Sequence, residues 1–275
     1  IILTVPDISN PFFSAVIRGA EEAALAARYS LLIGDTHHDS EREEYYAAML
    51  TRREADGMVF LGHRLAPTMV ALVAKQGAEA PIVNGCEFEP GLNVSSVHIA
   101  NAVAAAEAMQ HLYDLGHQRI GVITGPLLSP ISRDRLSGVQ GAAAGQRLWD
   151  EVLVRTGDFS VDSGEALTHD LLAEDNPPTA IFCFSDEMAI GAIAALRERG
   201  LDCPRDVSVV GFDDIRYARA FQPALTTISQ PKEAIGRKAV EMLLAILSKR
   251  AEGVASITLP HELVVRESTA PPPTR

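Results

Sequence analysis

Several short apolar runs in this chain are followed at once by side chains that bind rather than react. Run 1–5 is followed by Asp7, Asn10, Phe12 and Phe13, and run 31–34 by Asp35. Run 120–124 leads to Gly125, Ser129 and Arg135, and run 152–156 to Asp158 and Phe159. Run 180–184 leads to Ser185 and Asp186, and run 207–211 to Asp213 and Asp214. In open parallel α/β sheets, ligands bind beyond the carboxyl ends of the strands. Aromatic rings, carboxylates, hydroxyls and one arginine at such ends suit a small polar molecule with a flat face and several hydroxyls. The set holds no obvious nucleophile, no metal cluster and no phosphate loop. No G-x-S-x-G or catalytic-triad spacing occurs either, so the expectation is a binding protein, not an enzyme.

The elements that must carry these residues are legible from periodicity. Apolar β-branched runs alternate with helical patterns along the whole chain, as βαβ units of a parallel sheet do. Asn10 can cap a first helix and Pro11 fits its first turn, with Phe12, Val16, Ala20, Ala23 and Ala27 following at helical spacing. Five strands are expected by residue 99, which makes one lobe. A second round starts at Asn101, with helices expected at 101–114, 132–147, 163–172 and 187–199 and strands between them. Gly116 and Gly200 fit helix ends. After Pro231 comes an amphipathic helix whose stripe is Ile235, Ala239, Met242, Leu243, Ile246 and Leu247. Its pattern does not say which lobe it joins. Gly138, Gly141 and Gly145 share one helix and read as close helix packing.

Bulk composition narrows the class. The chain has 275 residues, 47% of them apolar, enough for a sizeable core or two. The net charge of -12 makes it a poor ligand for nucleic acid, because such affinity comes from Lys and Arg neutralising phosphates. Cys86, Cys183 and Cys203 are odd in number and show no C-x-x-C spacing, so neither a disulfide framework nor zinc is indicated. His37 and His38 are adjacent and point in different directions, so neither a metal nor a cofactor is expected. No apolar run reaches the roughly 18 residues of a membrane helix, and no signal peptide is visible. The abrupt opening on a strand looks like a domain cut from something longer. The proline-rich segment 270–275 is expected to be a flexible tail.

Taken in order, several segments resemble the lactose-repressor family of bacterial transcription regulators, in its effector-binding part. They are VPDISNPFF at 5–13, DG at 56–57, LGHQRIG at 115–121, RLSG at 135–138 and GDF at 157–159. PTAIF at 178–182, SDEMA at 185–189, PRDVSVVGFD at 204–213 and PALTTI at 223–228 complete the set. The resemblance implies two doubly wound parallel-sheet lobes joined by three crossings, like type I periplasmic binding proteins. It places one lobe at 1–99 plus 231–257 and the other at 101–229 plus 259–269, so the late helix joins the first. It also implies that a DNA-binding helix-turn-helix head is absent from this chain. Ala100 stands where the family usually has Asp.

The resemblance further implies function. The chain would sense a small-molecule effector in the interlobe cleft, form a homodimer, act on operator DNA through the missing head, and work in the cytoplasm with no membrane partner. Effector-binding positions carried over are Phe12, Phe13, Ser129, Ile131, Arg135, Phe159, Ser185 and Asp213. Segments at 5–13, 32–35, 56–65, 97–99 and 157–159 are similar to the cytidine-responsive members, so the expected effector is a nucleoside such as cytidine. Purine-responsive members carry an arginine at the position of Ser129, which argues against hypoxanthine or guanine. A sugar-responsive repressor of the same family, and a periplasmic sugar or nucleoside transport receptor of the same fold, stay open as alternatives.

Overall fold

The computed structural model describes residues 1–87, 91–149 and 152–273. The chain divides into two units: Ile1–Ile99 with Pro231–Pro260, and Ala100–Gln230 with His261–Arg275. It therefore passes from one unit to the other three times. Each unit is built on a six-stranded sheet flanked by helices.

In the first unit, β1 (Ile2–Val5), β2 (Leu32–Asp35), β3 (Met58–Phe60), β4 (Ile82–Gly85) and β5 (Ser95–Ile99) alternate with α1 (Pro11–Ala26), α2 (Ser40–Thr51) and α3 (Pro67–Gln76). The sheet order is β2-β1-β3-β4-β5-β11, where β11 is the late strand Ser256–Leu259, and every neighbouring pair is parallel. All residues of β1, β3 and β4 are buried, as expected of strands covered on both faces. The Asn10 carboxamide oxygen accepts from Phe12 N at 2.9 Å and Pro11 opens α1. The buried stripe of α1 runs Phe12, Val16, Ala20, Ala24, so Ala23 and Ala27, assigned to it from spacing, lie to its side.

The first unit is completed by the late helix, α8 (Lys232–Leu247), and by β11 (Ser256–Leu259), which extends the sheet beside β5. Helix α8 buries Ile235, Ala239, Val240, Leu243 and Ile246 against α1 and over β4 and β5.

The second unit holds α4 (Asn101–Asp114), β6 (Ile120–Thr124), α5 (Pro130–Gln146), β7 (Val152–Thr156), α6 (Val161–Leu171), β8 (Ala180–Cys183) and α7 (Asp186–Glu198). Then come β9 (Ser208–Asp213), β10 (Thr226–Ser229) and β12 (Glu262–Val264). Sheet order is β7-β6-β8-β9-β10-β12, parallel except for the last, antiparallel pair. Several boundaries differ from the expected ones by one or two residues, and two of them have a plain cause. Helix α5 starts two residues earlier than 132, because Pro130 has the fixed φ and missing N–H that a first helical position accepts. Strand β9 continues past 211 to Asp213, pairing with β10 as far as Asp213 beside Ser229.

One further expectation is corrected. Of the three α5 glycines, only Gly138 makes a close approach: a Cβ there would stand 2.0 Å from the Ala102 carbonyl oxygen of α4, whereas Gly141 and Gly145 face open space. The proline-rich end begins at an anchored residue. Ala270 donates to Ser208 Oγ, and its carbonyl accepts from Ser208 Oγ and from His117 Nε2. Residues 274 and 275 lie outside the described residues.

Candidate functional site

Parallel pairing of β6, β8 and β9 brings their carboxyl ends to one edge of the second sheet. That edge gathers Arg135 from α5, the loop residue Phe159, Ser185 at the head of α7, and Asp213 at the end of β9. Arg135 is almost wholly buried, with 3% of its side chain exposed. Its Nε donates to Asn101 Oδ1 at 2.9 Å and its Nη1 to the Phe184 carbonyl. The guanidinium lies 3.6 Å above the centre of the Phe212 ring, a cation–π contact. Its Nη2 faces Asp213 Oδ1 at 3.9 Å, too far for a hydrogen bond. The same Asp213 oxygen accepts from Gln230 Nε2 at 2.7 Å. Two opposite charges thus face each other across a gap, each fixed by an amide side chain.

The remaining positions of the second unit are distinct in role. Phe159 has a left-handed backbone, φ 73°, and is half-buried. Its ring covers Gly125 so closely that a Cβ there would stand 2.0 Å from the ring. Ser185 caps α7, accepting from Met188 N at 3.2 Å, and its hydroxyl donates to the Phe159 carbonyl at 3.3 Å. It ties the Phe159 loop to the helix. Ser129 is buried at the cap position of α5, and Ile131 is half-buried on the first turn. Asp214 caps no helix. Its carboxylate pairs with Arg266 Nη2 at 2.7 Å, and turns follow.

In the first unit, Phe12 is buried and meets the Phe13 ring edge-on, 5.1 Å between centres. Phe13 is the half-buried member, with more of its ring available. Asp7 is engaged locally, accepting from Ser9 N and Ser9 Oγ.

The chain as a whole has relatives among known proteins. Residues 109–269 match the family model of the periplasmic binding protein-like domain. The chain is 40% identical over 270 residues to the HTH-type transcriptional repressor CytR of Escherichia coli K12, covering 98% of this chain and 79% of that protein. The chain belongs to the LacI family. Its effector-binding domain is also 32% identical to Catabolite control protein A of Priestia megaterium, covering 96% of this chain and 80% of that one. A LacI family transcriptional regulator from Enterococcus faecium, solved with bound ribose, superposes with a TM-score of 0.87 at 30% identity, covering 98% of each chain. The relatives named here as repressors are regulators, not enzymes. Among the described residues of this LacI-family chain, no helix is long and apolar enough to cross a membrane.

Sequence reasoning missed two residues of this candidate site, Asn101 and Gln230, which hold Arg135 and Asp213. Each is polar, buried and next to a passage between units. The available signal was placement: an Asn opening an alanine-rich helix, and a Gln between an apolar strand and Pro231. One His–Glu group, Glu165, His169 and Glu198, has metal-like spacing. His169 Nδ1 lies 3.3 Å from Arg199 Nε and its Nε2 lies 3.1 Å from Glu198 Oε2. Both ring nitrogens are therefore engaged within the protein.

Proposed function

We propose that this effector-binding domain senses a nucleoside, with cytidine the first candidate, and that occupancy alters operator binding by a DNA-binding head in a cytoplasmic homodimer. The observation that carries the reading is the 3.9 Å gap between Arg135 Nη2 and Asp213 Oδ1. A ligand hydroxyl set about 2.8 Å from each would accept from the guanidinium and donate to the carboxylate. Hydrogen bonds to charged groups contribute roughly 1.5–3 kcal/mol each. A ribose presents such hydroxyls, and Phe159 presents an aromatic surface for the flat part of a ligand. Phe13 is assigned as a second stacking candidate, with Phe12 behind it. Ser129, where a purine reader carries an arginine, supports a pyrimidine over an oxopurine, with Ile131 lining the base side. The 40% identity to the repressor CytR supports the same choice.

A second reading has one observation behind it. The Enterococcus faecium regulator holds ribose, and a pentose alone satisfies the Arg135–Asp213 pair. Calorimetric titration with cytidine, adenosine, uridine, hypoxanthine and free ribose separates the two. Cytidine binding at micromolar concentration with ribose and hypoxanthine silent supports the nucleoside reading. Ribose binding with every nucleoside silent replaces it by the sugar reading.

A further inference from the structure

Asp186 is fully buried at the start of α7, and the effector reading gives it no task. Its Oδ2 accepts from Ile215 N at 2.7 Å and its Oδ1 from Thr227 Oγ1 at 2.6 Å. Thr227 Oγ1 in turn accepts from Asp214 N at 3.3 Å. Gly211 lies against the same carboxyl, where a Cβ would stand 2.2 Å from Oδ1. Asp186 therefore touches both ends of the segment 211–215, which has Asp213 at its centre. That segment is unusual: Asp213 and Asp214 both have positive φ, 109° and 50°. Such backbone is costly for residues with a Cβ and persists only where the surroundings hold it.

We propose that Asp186 is a positioning residue of the effector site, bracing the strained turn at 213–214 so that the Asp213 carboxylate faces Arg135. The proposal rests on the reading that Asp213 contacts the effector. Burial, reinforced by the nearby negative charge of Asp213, holds the Asp186 carboxyl well above the usual carboxylate range. Both carboxyl oxygens accept, one from Ile215 N and one from the Thr227 hydroxyl. An asparagine keeps the shape and an acceptor oxygen for Ile215 N, and its N–H can donate to Thr227 Oγ1 once that hydroxyl turns its own proton away. Alanine offers neither.

The test compares Asp186→Asn, Asp186→Ala and Thr227→Val in the whole chain. Two quantities are read: amide hydrogen exchange at residues 214–215, and the affinity for cytidine. Asp186→Ala is expected to speed exchange at 214–215 at least tenfold, with the rest of the second unit changed less, and to weaken cytidine at least tenfold. Asp186→Asn is expected to stay within threefold of the parent in both. Thr227→Val, which removes one arm of the brace, is expected to move both quantities in the same direction as alanine, and it decides the matter if Asp186→Ala does not fold. Unchanged exchange in the alanine and valine variants, or an asparagine variant as damaged as alanine, overturns the proposal. If the parent chain does not bind cytidine, the nucleoside reading falls, while the exchange measurements still judge the brace.

Discussion

Arg135 is held by partners that are not ligand, among them Asn101, the Phe184 carbonyl and the Phe212 ring. Its charge is thus presented in a fixed place before anything binds, which lowers the ordering cost of binding. Replacing Asp213 or Arg135 by alanine is expected to weaken cytidine at least tenfold, about 1.4 kcal/mol, while the domain still melts cooperatively. Unchanged affinity in both variants would remove them from the site. A second residue-level expectation concerns pH. Burial holds the imidazoles of His111 and His117 below their usual range. The fold therefore favours the neutral rings, while the unfolded chain takes up protons near the ordinary value of about 6.5. This contribution to stability is present above that pH and is lost as pH falls through the lower native values. The melting temperature of His117→Gln should fall less than that of the parent between pH 7.5 and 5.5; an equal fall would count against it. Residues whose partners are local were readable from sequence. Asn10 and Ser185 cap their own helices, two and three residues away. Asn101 and Gln230 were not, because the side chains they hold are 34 and 17 residues distant.

The unit of organisation above the residue is the helix seated on its neighbour. Helix α5 carries Arg135 one turn before Gly138, the point at which α5 touches the α4 backbone. Any Cβ at Gly138 must push the two helices apart and carry the guanidinium with it. Gly138→Val is expected to destabilise the domain by about 1–3 kcal/mol, the usual range for overpacking, and to weaken effector binding. Gly141→Ala meets nothing within 4 Å; it should raise the melting temperature slightly, since alanine is favoured over glycine in a helix by up to about 1 kcal/mol. Calorimetric melts of the two variants check the opposite signs. The spacing of these glycines was plain in the sequence, but only the facing helix distinguishes the one at a contact from those on an open surface. The extra residues of β9 were hidden for a similar reason, since pairing with β10 extends that strand.

At the scale of the whole chain, each unit is assembled from segments far apart in sequence. The alternation of strands and helices was legible, as was the apolar stripe of α8. What α8 packs on was not, because the Glu22–Arg237 pair between α1 and α8 spans 215 residues. A fragment of residues 1–99 alone should lack cooperative melting, since α1 then keeps a bare apolar face and β5 an unpaired edge. The same fragment joined by a short linker to residues 231–260 should recover it, with circular dichroism as the measure. A cooperative transition in the shorter fragment would show that α8 and β11 are dispensable. The interleaving also sets a timetable at the ribosome. Residues 100–230 must be made between the two parts of the first unit, which at about 5–20 residues per second takes roughly 7 to 26 s. For that interval the nascent first unit carries an open strand edge, and the cell's chaperones have that long to keep it from pairing with another chain.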